Sequence, residues 1–306
     1  MMHSSPKENA LTRFLNSRKV VPYIMASPFI ISFLVFFLYP ILYSGQMSFY
    51  AAKGFGPPQF SGLNNYKMLY NDYFFKSIAN SAQYTLLTCL VLIPMPLIFA
   101  SILNSGTVKK ADLVKSAMFI PALTSVVMAG LFFRYAFSSN ENAIFNGLIK
   151  AFGFPPQNWL EKQPTTMAVL VTFCSWKWMG VNIIYYFSAL QSVPGELYES
   201  AKIDGANVIQ QFLYVTVPSV RATIIYVLTI SIYGGFSMFA ESYTLFNNAR
   251  TPGDIGSTIV GYIYNQGIHR NDFGLASAAG IVLLGIVLIF NVLQLFLTGS
   301  FRKEAR

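Results

Sequence analysis

Residues 194–218 read PGELYESAKIDGANVIQQFLYVTVP, a polar, amphipathic island between two long apolar stretches. A membrane chain needs only a short irregular loop to pass from one span to the next. An island of this length, with its own start and stop signals, implies an ordered helix-turn-helix. Pro194 and Gly195 read as the end of the preceding helix, and Glu196 and Glu199 fall in the first turns of a new one, where carboxylates favour the positive helix end. Asp204 and Gly205 then interrupt it. Gly205 accepts the left-handed backbone that closes a helix, and Asp204 has the side chain to cap the next one. The second helix is expected to run to about Tyr214 with Val208, Phe212 and Val215 on one face, and Pro218 marks entry into the next apolar stretch. The result is a short helix held roughly parallel to the membrane by a fixed bend.

Working outward, the 306 residues are 54% hydrophobic and only 11% charged, far below the roughly 25% charge of soluble domains. Stretches of about 20 apolar residues, long enough to span a bilayer, read at 20–44, 83–104, 116–137, 166–190, 222–246 and 275–299. The fold expected is an all-α membrane protein with six transmembrane helices, one membrane domain over 20–299 and tails at 1–19 and 300–306. An even number of spans puts both termini on one side. With the N-terminus in the cytoplasm, the inside segments carry 12 Lys and Arg in 68 positions against 7 in 91 outside, the bias of a cytoplasmic face. The island is therefore expected in the cytoplasm. The net charge of +9 is dispersed over loops too small to form a nucleic-acid-binding domain. The first apolar stretch is too long for a signal-peptide core and no small-residue cleavage site follows it, so it reads as a retained span. Cys89 and Cys174 fall within spans and read as packing residues without a disulfide or metal role.

Pro22, Pro28 and Pro40 in the first span and Pro94 and Pro96 in the second remove backbone donors and bend their helices. Such breaks persist in a bilayer only where neighbouring groups satisfy the freed carbonyls. Segment 45–80 reads as an irregular crossing followed by an amphipathic helix on the outer face, with Tyr66, Tyr70, Tyr73 and Phe74 at interfacial depth. Lys177 and Arg134 are placed to snorkel to the outer interface. Glu241 is an intramembrane carboxylate, a functional candidate, or a partner that neutralises Lys177 or Arg134. His3 and His269 show no ligand spacing.

The island resembles the "EAA" loop of the permease subunits of bacterial ATP-binding-cassette importers. Glu199, Ser200, Ala201, Gly205 and Pro218 stand at the pattern's positions, with Ser200 in place of its middle alanine, and Asp204, Ala206 and Phe212 also match. Phe60-Ser-Gly-Leu-Asn-Asn-Tyr66, Phe119-Ile-Pro-Ala122, Trp176-Lys-Trp-Met-Gly180 and Phe273-Gly-Leu-Ala276 resemble segments of the carbohydrate-uptake permeases of the maltose, glycerol-3-phosphate and multiple-sugar type. The likeness runs from about residue 22 to 298. It departs after the fifth span: residues 246–258 lack the usual glycine run, and this loop looks like that of permeases handling arabinose or related oligosaccharides.

The resemblance implies a cytoplasmic coupling helix between spans 4 and 5 that docks on an ATPase through Glu199, Ser200, Ala201, Asp204, Gly205 and Ala206. It implies as partners a second homologous permease, an ATP-binding-cassette ATPase dimer, an extracytoplasmic sugar-binding protein and the lipid of the bacterial cytoplasmic membrane. No Gly-x-x-x-x-Gly-Lys-Ser/Thr phosphate cradle occurs, so no cofactor is expected on this chain, ATP and Mg belonging to the ATPase, and no catalytic residues are expected. A saccharide path needs aromatic faces and hydroxyl-matching polar groups. Trp178, Gly180, Asn182 and Tyr186 in the fourth span are suited to it. Ser231, Gly235, Met238 and Glu241, at i, i+4, i+7 and i+10, form one face of the fifth and resemble the family's substrate-lining stretch. Each has a structural alternative in close helix packing. The rival function is an ion-coupled secondary transporter working through Glu241 and its basic neighbours, which leaves the island unexplained. An intramembrane enzyme lacks any catalytic constellation.

Overall fold

The computed structural model describes residues 17–54 and 56–299. Four helices are long and apolar enough to cross a membrane: α1 (Val21–Met47), α3 (Asp72–Asn104), α7 (Gln163–Leu190) and α13 (Phe273–Leu297). Two more crossings are formed if bent pairs count as one each. These are α4 (Ala111–Leu123) with α5 (Val126–Ala136), bent by 94°, and α9 (Val208–Ser219) with α10 (Arg221–Phe236), bent by 73°. Between them lie the short helices α2 (Asn64–Met68), α6 (Ile144–Ala151), α8 (Gly195–Ile203), α11 (Ala240–Phe246) and α12 (Ile259–Tyr264), and a two-stranded antiparallel ribbon of Tyr50–Ala51 and Gln59–Phe60.

The spine is α7, whose Phe173, Ile183 and Tyr186 are fully buried. Its first half packs Met167, Leu170 and Phe173 with Tyr84, Phe133 and Phe137. Its second half packs Ile183, Tyr186 and Leu190 with Leu97, Ala100, Leu103, Val220 and Val227. A third cluster joins Tyr73 and Phe74 to Ile259, Tyr262, Leu275 and Ala278. By contrast α1, apolar throughout, buries no residue along its helix. It is apolar on every side and meets its own chain mainly along its last third, Tyr39–Met47 against α13, so the rest of the helix belongs against lipid or another subunit. It is anchored at its end, where Ser48 bonds Tyr66 at 2.7 Å and the Asn65 amide donates to the carbonyls of Ser48 and Tyr50 at 2.8 and 2.9 Å.

Several expectations need correction. The second span starts at Asp72, capped by the Asn71 side chain, so Tyr73 and Phe74 belong to it. Both are buried against Tyr262, with ring centroids 4.8 and 5.0 Å away, so they pack within the chain. The third apolar stretch is broken at Thr124 and Ser125, whose extended ψ values of 136° and 131° interrupt it just after Pro121. The fifth helix stops at Phe236, with Phe239 at φ −145° and ψ −53° ahead of α11. Sixteen residues span about 24 Å, short of the hydrocarbon thickness, so α10 needs a neighbouring segment to complete the crossing.

Candidate coupling surface and translocation residues

The island folds as two helices joined by a rigid corner. α7 ends at Leu190, and Pro194 stands at the N-cap of α8. Pro194 and Gly195 therefore begin the island helix instead of ending the previous one, consistent with proline's fixed φ and its fitness for a helix start. At the other end Gly205 sits at φ +80°. The Ala206 amide donates to the Ala201 carbonyl at 2.9 Å and the Gly205 amide to the Lys202 carbonyl at 3.1 Å, which is the Schellman closure that a left-handed glycine makes possible. Asp204 occupies the C-cap of α8 and does not cap the next helix. That role belongs to Asn207, whose side chain accepts from the Gln210 amide at 2.9 Å while the Gln210 side chain accepts from the Asn207 amide at 2.8 Å. The signal was present in the sequence as Asn-x-x-Gln, a capping-box pattern. The Gln211 side chain donates to the Ala206 carbonyl at 2.8 Å, and Tyr198 and Thr216 bond across the corner at 3.1 Å. α9 passes through a π turn at Phe212–Thr216 and continues to Ser219, beyond the expected end at Tyr214.

Apart from the Tyr198–Thr216 pair these bonds close the backbone, and they leave the outward side chains of α8 bare. Glu199, Ser200, Asp204 and Gly205 are exposed, Ala201 and Ala206 partly so. Ile203 is 86% and Val208 81% exposed, so Val208 does not share a buried face with the half-buried Phe212 and Val215. A cleft of about 600 Å³ opens beside them, lined by Ile98, Ile102, Tyr198, Lys202, Ile209 and Phe212 among others. At the elbow between α9 and α10 the Arg221 guanidinium donates to the Thr298 carbonyl at the end of α13.

The expected path residues separate into two groups. The Asn182 side chain is buried and donates to the Leu92 carbonyl at 3.0 Å. Pro96 has no N–H to offer that carbonyl, so Asn182 repairs the break in α3. Gly180 lies against α4 so closely that a Cβ would overlap the Met118 carbonyl. Tyr186 is fully buried in the second-half cluster. Gly235 faces Thr85, whose hydroxyl a Cβ would strike, and Met238 is buried. These five side chains or positions serve packing within the chain. Trp178, 42% exposed, and the half-buried Ser231 and Glu241 remain open. The single-face arrangement of Ser231, Gly235, Met238 and Glu241 does not form, because Met238 lies in the break after Phe236 and Glu241 belongs to α11.

Lys177 also departs from its expected place at the outer interface. It is 7% exposed and does not snorkel; its ammonium donates to the Thr124 carbonyl at 2.6 Å and the Ala122 carbonyl at 3.5 Å. It holds the broken end of α4, where the chain's helical acceptors are unused. Among the described residues Glu241 makes no ion pair with Lys177 or Arg134.

At the end of the molecule away from the island, residues 247–258 are fixed by their own side chains. Arg250 pairs with Asp254 at 2.9 Å and stacks 4.4 Å from the Tyr73 ring, and the bond to Asp254 raises the guanidinium further above its usual range. The Asn80 amide donates to the Asp254 and Ser257 carbonyls. Nearby, the fully buried Asn146 accepts from Trp159 at 2.8 Å and donates to the Ser138, Asn140 and Gln157 carbonyls. Among the described residues no three His, Cys, Asp or Glu side chains converge as metal ligands.

The model of the family described as "binding-protein-dependent transport system inner membrane component" matches residues 1–303. The chain belongs to that family. The permease is 47% identical over 301 residues to the arabinooligosaccharides transport system permease protein AraP of Bacillus subtilis (strain 168), covering 98% of this chain and 96% of the relative. It is 46% identical to the protein of the same name from Halalkalibacterium halodurans, covering 97% and 93%. A crystal structure of a bacterial transporter involved in the import of the acidic polysaccharide alginate contains a chain that superposes with a TM-score of 0.80 at 25% identity, covering 96% of this permease and all of that chain. The permease is a multi-pass membrane transport subunit, not an enzyme.

Proposed function

We propose that this permease forms half of the translocation path of an ATP-driven importer for arabinose-containing oligosaccharides, working by alternating access. The observation that carries the reading is the island: a helix closed and capped on its backbone, yet presenting Glu199, Asp204, Ile203 and Val208 bare. A surface that is ordered but uncovered fits a protein partner. In this reading the island and both termini are cytoplasmic. α8 docks on an ATPase that holds ATP and Mg, through Glu199, Ser200, Ala201, Asp204, Gly205 and Ala206. A second homologous permease completes the path, and an extracytoplasmic binding protein delivers the sugar. The sugar class rests on the likeness to AraP. Trp178, Ser231 and Glu241 face the sugar, while Gly180, Asn182, Tyr186, Gly235 and Met238 shape the wall behind them.

Gly205→Asp tests the coupling. A side chain at φ +80° costs roughly 1–2 kcal/mol and adds a charge at the corner. Oligosaccharide uptake is expected to be lost with the protein retained in the membrane, and normal uptake would sink the coupling role. Glu241→Gln tests the rival: an ion-coupled carrier loses its pH or sodium dependence, whereas an ATP-driven importer shows at most altered sugar affinity.

A further inference from the structure

α11 gives way to the loop that starts at Asn247, and α12 to a π turn at Asn265–His269. The two breaks meet at a cavity of about 560 Å³, within the size range of small-molecule sites. Tyr243, Asn247, Asn248, Asn265, His269 and Arg270 line it. Its aromatic wall is braced by direct ring contacts, Tyr264 meeting Tyr243 at 5.8 Å, Phe239 at 4.9 Å and His269 at 5.3 Å between centroids. The polar wall comes from the widened turn, whose extra residue opens the helix at Asn265. The Asn265 amide oxygen is buried without a hydrogen-bond partner among the described residues. Asn247, left-handed at φ +53°, and Asn248 are exposed, unlike Thr251, Asp254 and Ser257 farther along the loop, which are buried and bond one another. Among the described residues the exposed Arg270 forms no ion pair, and no Asp or Glu lines the cavity. Hydrocarbon cannot satisfy carboxamides and a guanidinium, so this hollow opens to water and not to lipid.

We propose that this cavity is a second saccharide site, at the end of the molecule away from the island, which receives an oligosaccharide before it reaches Trp178, Ser231 and Glu241. The inference rests on the sugar-import reading above, in which that end is extracytoplasmic. Saccharide hydroxyls both donate and accept, and sugar rings have apolar faces that lie against aromatic ones. Tyr243 and His269 offer ring surface. A sugar hydroxyl supplies the donor that the Asn265 oxygen lacks, while Asn247, Asn248 and Arg270 donate to hydroxyl oxygens. The short helix α11 carries both Tyr243 and Glu241, so the cavity and the path share one element. Arg270 also borders a neighbouring hollow with Lys53 and Asp272, and Lys53 does not line the cavity.

The test measures binding of radiolabelled arabinotriose to the complete importer in detergent without its binding protein, and uptake by the same importer in proteoliposomes with the binding protein present. Wild type is compared with Asn265→Ala, Arg270→Gln and Lys53→Gln. The first two are each expected to weaken binding about fivefold, the worth of one hydrogen bond, with melting temperatures like wild type. Lys53→Gln, which removes an equal charge beside the cavity, is expected to bind like wild type. Because Arg270 is exposed, its variant decides the matter should Asn265→Ala unfold. Wild-type affinity in Arg270→Gln, with uptake intact, would overturn the cavity and leave sugar import standing. Equal weakening in Lys53→Gln would reduce the effect to surface charge, and a weakened hold on the binding protein in place of the sugar would make the cavity a docking surface; either overturns the proposal. An importer that neither binds nor takes up arabinotriose counts against the arabinose reading and the cavity together.

Discussion

The island at 194–218 and the cap at 247–258 are both irregular interruptions of a helical membrane protein, and they use side chains in opposite ways. In the cap, Arg250, Thr251, Asp254 and Ser257 bond one another or their own loop, and Asn80 reaches up from α3 to bind it. In the island the bonds close the backbone and leave Ile203, Val208 and Ile209 open. A segment whose side chains bond one another holds a shape, and one whose bonds mostly close its backbone presents a surface. The same substitution chemistry should therefore damage stability at one end and coupling at the other.

The largest effect on stability is expected away from the island. Asn146→Ala removes the partner of the Trp159 indole and of three carbonyls, and should lower unfolding free energy by about 2–4 kcal/mol, read as a drop in melting temperature in detergent. Stability like wild type would show that a buried, fully bonded side chain need not hold its loop, and would weaken the same argument for the cap. A middling effect is expected at Asn182→Leu, which strands the Leu92 carbonyl at a cost of about 1–3 kcal/mol. If that variant instead melted normally and lost sugar affinity, the residue would be a ligand contact and not a repair of α3. The smallest effect on stability belongs to Ile203→Ser, within about 0.5 kcal/mol, because the side chain touches little of its own chain. Its loss should appear as several-fold weaker sugar-stimulated ATP hydrolysis by the assembled importer, and unchanged hydrolysis would show that the bare face of α8 is not a contact.

Most of the architecture was legible because hydropathy is a strong, local signal: α1, α7 and α13 begin and end within a few residues of the apolar stretches at 20–44, 166–190 and 275–299. The corner at Gly205 was legible because only a few residue types tolerate a left-handed backbone. What could not be read was any feature that depends on which helix lies alongside. The sharp bend after Pro121 looks, in sequence, like the milder proline interruptions elsewhere, and the lysine that holds it lies more than fifty residues away. Asn182 and Lys177 advertise function by being polar within a span, yet their polarity is committed to carbonyls that α3 and α4 leave open. The tyrosines at 73 and 262 carry the composition of interfacial anchors and the environment of a core. At Asn182 and Lys177 a polar residue within a span repairs the backbone of a neighbour, and only the neighbour's identity distinguishes that from a ligand site.

The bond from Arg221 to the carbonyl of Thr298 joins the elbow behind the island to the last turn of the final span. A single hydrogen bond on an exposed surface contributes about 1 kcal/mol, so this contact marks where the two helix ends meet without locking them to one another.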